Sequence, residues 1–211
     1  MKGFAFLLTL FVFLYPIPYM LYPVQATADL GESRIHPASP LYFLKSVREA
    51  LELKFAGTTH IKALRQIEFA TRRIRETKSL SKTSHHDLIV PTLERYFWHM
   101  GELKEIVSLK DADMVRQVSD IVTYHMNVLQ TIYSQISDPR ARMSIRSAIH
   151  RLAEWDQQFI DKLNLLDQSS LAQKMAISKL SGCNFLSKEA SSSALNEVER
   201  VVLTGRAKTC F

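Results

Sequence analysis

Seven histidines and two cysteines are the residues of this 211-residue chain best suited to chemistry. Their spacing decides which chemistry is open to them. A helical zinc or di-iron site needs ligands three or four residues apart on facing helices, as H-E-x-x-H or as paired E-x-x-H. Neither motif occurs. The nearest approximations are His99 with Glu102 and His150 with Glu154, while His85 and His86 adjoin in a polar stretch. His125 falls on an apolar seam, where a buried polar residue can set helix register. No metal ligand and no cofactor is therefore expected. Nucleophilic catalysis has no better footing, because no G-x-S-x-G elbow and no glycine loop leading into a helix is present. The carboxylates are scattered singly among basic neighbours, so no acid/base pair can be assigned. The expectation is a non-enzyme with no catalytic residues.

Two constellations remain. Arg140, Arg142 and Arg146 crowd the start of an expected helix, where the dipole already presents positive potential. Such a spot attracts an anion. A phosphate, an acidic polymer or lipid surface, or a partner's carboxylates could dock there, and an Asp or Glu from another helix could equally neutralise it. Cys183 and Cys210 are the only cysteines and lie near the C-terminus, as expected of a disulfide formed outside the cytoplasm. Closing a loop of about 28 residues would constrain the unfolded chain by roughly 3.6 kcal/mol in the chain-entropy account.

The N-terminus supports that compartment. MKG is a short basic leader, FAFLLTLFVFLY is an apolar run ending at Pro16, and Ala26-Thr27-Ala28 supplies the small residues a signal peptidase reads. Residues 1–28 are expected to be a signal peptide cleaved after Ala28. The alternative is a retained anchor, since the apolar stretch from Phe4 to Val24 approaches the roughly 20 residues needed to span a bilayer. With 27 basic and 21 acidic side chains the net charge is +6, and the basic residues alternate with Glu and Asp instead of forming blocks. That pattern excludes a nucleic-acid arm and describes solvated helix faces.

The elements that would position these residues are all helical, with no period-two alternation in any window. Ser39 and Pro40 can open a first helix with Leu44, Val47, Leu51 and Phe55 at intervals of three and four. Tyr42 and Phe43 are then expected to cover the end of a bundle, the tyrosine hydroxyl remaining wet. After Gly57, Thr58 or Thr59 caps a second helix with Ile61, Leu64, Ile67 and Ile74 on one stripe and Glu68 beside Arg72 on its flank. The short connection implies an antiparallel hairpin.

Asp87 can cap a third helix with Pro91 in its first turn and a stripe of Leu93, Phe97, Met100, Leu103 and Val107. Asp111 or Asp113 opens a fourth, whose Met114, Val118, Ile121, His125, Val128 and Ile132 follow coiled-coil spacing. Asp138-Pro139 opens a fifth carrying Ile145, Ile149, Leu152, Phe159 and Leu163. A sixth is expected over 170–180, ending in a turn near Cys183, and a seventh over 193–209. The fold class is thus all-α: an antiparallel bundle of about six or seven amphipathic helices over 29–182, with 183–211 a disulfide-closed C-terminal segment.

One resemblance can be drawn. Pro37-Ala-Ser-Pro-Leu-Tyr-Phe-Leu-Lys45, followed by Glu49 and by the run from Glu68 to Glu76, resembles a bacterial family of extracytoplasmic domains of unknown function. Its members look like P-x-[S/D]-P-x-Y-x-x-K, then a helix, then A-x-x-R-[L/I]-x-E. The resemblance covers 37 to about 80 well, continues to about 165 as helical pattern, and does not reach the tail. It implies an all-helical domain behind a signal or anchor segment and no catalytic residues.

The resulting expectation is an exported, non-catalytic interaction or structural module at the cell envelope. Its partner would be another envelope protein, with an anionic polymer or lipid surface as a further candidate and nucleic acid excluded. The alternative is a metal- or stress-responsive envelope sensor using surface histidines.

Overall fold

The computed structural model describes residues 30–210, and these hold seven α-helices and no strand. They are α1 (Tyr42–Lys54), α2 (Thr59–Ser81), α3 (Ile89–Ile106), α4 (Ala112–Gln135), α5 (Pro139–Leu165), α6 (Ser169–Ala190) and α7 (Glu197–Lys208). A single 3-10 turn, His86–Leu88, leads into α3. The expected signal peptide and its cleavage after Ala28 lie outside the described residues. No helix among the described residues is long and apolar enough to cross a membrane.

Three helix starts follow directly from local chemistry. The first backbone N–H groups of a helix have no intrahelical acceptor, and a short oxygen-bearing side chain can supply one. Thr58 accepts from the Ile61 N–H at 3.2 Å, Asp111 from Met114 at 3.0 Å and Asp138 from Ala141 at 2.7 Å. Pro139 follows Asp138 at the first helical position, where its missing N–H costs nothing. Asp87 does not cap α3, whose cap residue is Leu88, because the 3-10 turn supplies the entry instead.

The apolar stripes of α2 to α6 meet in one core. Ile67 and Ile74 of α2, Leu93 and Met100 of α3, Val118 and Ile132 of α4, Ile149 and Phe159 of α5 and Met175 of α6 all belong to it. Each is less than 9% exposed. α2 lies along α3, α5 lies along α6, and α4 touches α2, α5 and α6. A smaller cluster of Ala153, Cys183, Leu186, Leu203 and Cys210 fixes α7 to the outer side of α5 and α6.

Two expectations need correction. α6 does not stop at Leu180 but runs unbroken through Gly182 and Cys183 to Ala190, so the expected segment boundary at 183 falls inside a helix. Gly182 serves packing, not a turn. A Cβ there would stand 3.2 Å from Met126 Sδ and 3.6 Å from Ala153 Cβ, which is the space α4 and α5 occupy.

The second correction concerns α1. The stripe of Leu44, Val47, Leu51 and Phe55 does not enter the core: Val47 is 54% and Phe55 77% exposed, and Phe43 beside them is 62% exposed. The buried residues of α1 are Tyr42 and Glu49. α1 is therefore inverted, with a polar face inward and an apolar face outward.

Candidate functional site

The inverted helix is explained by what faces it. Tyr42, Lys45, Glu49 and Glu52 recur at three, four and three residues, so they share one side of α1. On α2, Arg65, Glu68, Arg72, Arg73 and Glu76 form the complementary stripe, because the opposite side of α2 is already spent on Ile67, Ala70 and Ile74 in the core. Pairing the two polar stripes satisfies charges that neither helix could bury alone.

Glu76 and Arg73 are the centre of the network, 0% and 1% exposed. The Tyr42 hydroxyl donates to Glu76 Oε2 at 3.1 Å and Arg73 Nη1 lies 2.9 Å from the same oxygen. Lys45 Nζ donates to Glu76 Oε1, and Arg73 also donates to the Tyr42 hydroxyl and to Glu49. From α3, Arg95 Nη1 reaches the Tyr42 hydroxyl at 2.9 Å and stacks over its ring at 5.3 Å. A second layer follows one turn away: Arg72 bridges Glu49 and Glu52, each at 3.3 Å, and pairs with Glu68, which Arg65 holds at 2.7 Å. The helices run antiparallel, since the first turn of α1 meets the last turns of α2.

The electrostatics follow from this enclosure. Burial, with the nearby Glu76 charge, raises the Tyr42 hydroxyl above its usual range. Burial also lowers Lys45, with Glu76 opposing. For Glu68 burial alone would raise the carboxyl, but Arg72 and Arg65 prevail and hold it lower. Tyr42 is thus not wet, as its position near a helix start suggested; its oxygen is the hub joining three helices.

A family model described as a domain of unknown function (DUF5667) matches residues 34–168. The chain belongs to that family. The DUF5667 match opens eight residues before α1 and ends one residue before α6, so it takes in the whole charged hub. No curated protein and no solved structure matches the chain.

Within and beyond the DUF5667 region, the residues singled out from sequence find partners inside the chain. Arg142 lies 3.4 Å from Glu189 and stacks over the Tyr133 ring at 4.3 Å; Arg146, 4% exposed, pairs with Glu199 at 3.1 Å. Glu199 also completes a capping box with Asn196 at the start of α7. An external anion would have to displace these carboxylates, and Arg140 alone of the three stays exposed. Cys183 and Cys210 form the disulfide, their Cα atoms 5.8 Å apart.

Three of the seven histidines, His99, His125 and His150, are buried, whereas His60 and His85 are exposed and His36 and His86 half-buried. His99 Nδ1 donates to Gln66 Oε1 at 2.8 Å. His125 Nε2 lies 3.2 Å from Thr71 Oγ1, and its Nδ1 lies 3.2 Å from the Tyr96 hydroxyl, joining α4 to α2 and α3. Burial lowers both histidines to about 3, the neighbouring arginines adding to the shift. His150 pairs with Glu154 at 3.3 Å. No group of three His, Cys, Asp or Glu that could hold a metal occurs among the described residues.

Asp156 on α5 was missed altogether. Its side chain is completely buried and neither oxygen has a hydrogen-bond partner among the described residues. The nearby Ser178 oxygen accepts from the Thr123 hydroxyl at 2.8 Å. Burial raises the carboxyl to about 8, with the Ser178 hydroxyl opposing. The signal was available in part, since Asp156 lies three residues before Phe159 and four after Leu152 on the core side of α5.

Proposed function

We propose that the protein is an exported, non-catalytic interaction module of the cell envelope whose contact surface is the outward face of α1. The observation that carries this reading is the inverted helix. Leu41, Phe43, Leu44, Val47 and Phe55 stand exposed side by side on an element fixed from behind by buried ion pairs. Scattered apolar residues are ordinary on a protein surface, but a contiguous stripe on one helix marks a place where something else packs. The pinning network matters because a preorganised face loses little freedom when it binds.

Support for a non-catalytic role comes from the hub itself: Tyr42, Lys45, Glu49, Arg73 and Glu76 neutralise one another and are closed to a substrate. Support for export comes from the leader pattern of residues 1–28 and from a disulfide that suits an oxidising compartment. A photo-crosslinking residue in place of Phe43 or Val47, in producing cells, should yield adducts that the same residue at exposed Asp113 does not. Equal labelling at all three positions would remove α1 as the contact surface. Free Cys183 and Cys210 thiols in those cells would remove export.

A further inference from the structure

We infer that, with residues 4–24 kept as a membrane anchor instead of being cleaved, the outward face of α1 seats on the anionic lipid surface of that membrane. This rests on the reading of α1 as the contact surface and names its occupant. Three observations select lipid over a second copy or a protein groove.

The first is where the chain outside the described residues arrives. Leu30 is buried in the main core, Glu32 pairs with Lys82, and the Ser33 N–H donates to Ser79 Oγ at 2.8 Å. Lys45 Nζ reaches Ser33 Oγ at 3.4 Å, so residue 33 sits one side chain from the first turn of α1. The apolar stretch of the sequence ends at Val24. Five intervening residues reach at most about 17 Å. If residues 4–24 lie in lipid, α1 is held at the headgroup level, where tethering makes even weak association complete.

The second is charge. Between residues 34 and 62 the acidic side chains are Glu49 and Glu52, and both face α2 in ion pairs. The exposed charges are basic: Arg48, 61% exposed though paired with Glu52 at 2.6 Å, and Lys54 at the end of the helix, with exposed Lys62 beyond the turn. An apolar stripe whose exposed flanking charges are mostly basic is the composition of a helix lying in an anionic interface. The third is rigidity. Phe43, Leu44, Val47 and Phe55 stand exposed on a helix pinned from behind by buried ion pairs, so little freedom is lost when they enter the headgroup layer.

The test uses the full chain reconstituted in vesicles of three parts phosphatidylcholine to one part phosphatidylglycerol. Spin labels are placed singly by Val47→Cys and by Asp113→Cys, after the native disulfide has formed. The label at 47 should show several-fold higher relative accessibility to oxygen than to a water-soluble nickel complex, with the reverse at 113, and the difference should shrink in vesicles of phosphatidylcholine alone. The double variant Phe43→Ser, Val47→Ser alters exposed positions and should fold normally by circular dichroism. It should lose at least tenfold of the bilayer-dependent protection of α1 amides from hydrogen exchange. Water-like accessibility at position 47 overturns the inference, as does close pairing of two labels at 47, which would mean a second copy. Crosslinks from Val47 to protein in cells together with water-like accessibility here would sink the lipid assignment while leaving α1 as the contact surface.

Discussion

Glu76 holds Tyr42, Lys45 and Arg73 on its two oxygens with no water contact, and that arrangement makes it the most sensitive single charge in the network. Removing one member of a buried ion pair leaves the others desolvated and unpaired, typically at a cost of about 3–5 kcal/mol. Glu76→Gln keeps the shape and deletes the charge, so urea unfolding should show a loss in that range. Glu68→Gln, at a carboxylate 43% exposed, should cost under about 1 kcal/mol. Equal effects at the two positions would mean that the buried layer is not stabilised as described. From sequence, Tyr42, Lys45, Arg73 and Glu76 fall within the stretches that carried the resemblance, but nothing there marks them as partners. Spacing within one helix says which residues share a face; it says nothing about which helix that face meets. The histidines show the same limit, for His125 was legible as a seam residue while its partners Thr71 and Tyr96 lie on other helices.

At the scale of elements, periodicity located the helices of the described residues, though it ended α6 at Leu180 and not at Ala190, because α2 to α6 each had to bury an apolar stripe. It failed on α1 for a physical reason: amphipathicity shows that a helix has two faces, and the core normally takes the apolar one. Here the arginines of α2 outcompete the core for α1 and claim its carboxylates. α7 shows the opposite economy. Its buried residues are Leu203 and Ala207, with Val198, Val201 and Val202 exposed, so its attachment depends on Arg146–Glu199 and on the disulfide beyond its end. Changing Cys183 and Cys210 together to Ser should cost about 2–4 kcal/mol. Hydrogen exchange should show the loss first as opening of residues 197–208, with α2 to α5 still protected. Simultaneous loss of protection across all helices would show that α7 is part of the main cooperative unit.

For the whole molecule, three buried titratable groups set opposing dependences on pH. His99 and His125 sit at about 3 in the fold against an ordinary 6.5, so only the unfolded chain takes up their protons as pH falls below 6.5. Stability is lost on that side, at about 2.7 kcal/mol per pH unit for the pair. Asp156 sits at about 8 against an ordinary 3.8, so the folded chain holds a proton that the unfolded chain releases between those values. Stability therefore falls with rising pH at about 1.4 kcal/mol per unit across that window. Below 6.5 the two histidines outweigh the one carboxyl and stability rises with pH; above it the carboxyl acts alone. The contribution of these groups peaks near pH 6.5, and Asp156 removes about 2 kcal/mol by pH 8. Asp156→Asn cannot ionise and fills nearly the same space. Urea midpoints at pH 5, 6.5 and 8 should then show the alkaline decline in the parent and its absence in the variant, which becomes the more stable of the two at pH 8. An alkaline decline of the same size in the variant would mean that Asp156 is ionised in the fold, and that its buried carboxylate has found a partner among the groups of α4 and α6 that surround it.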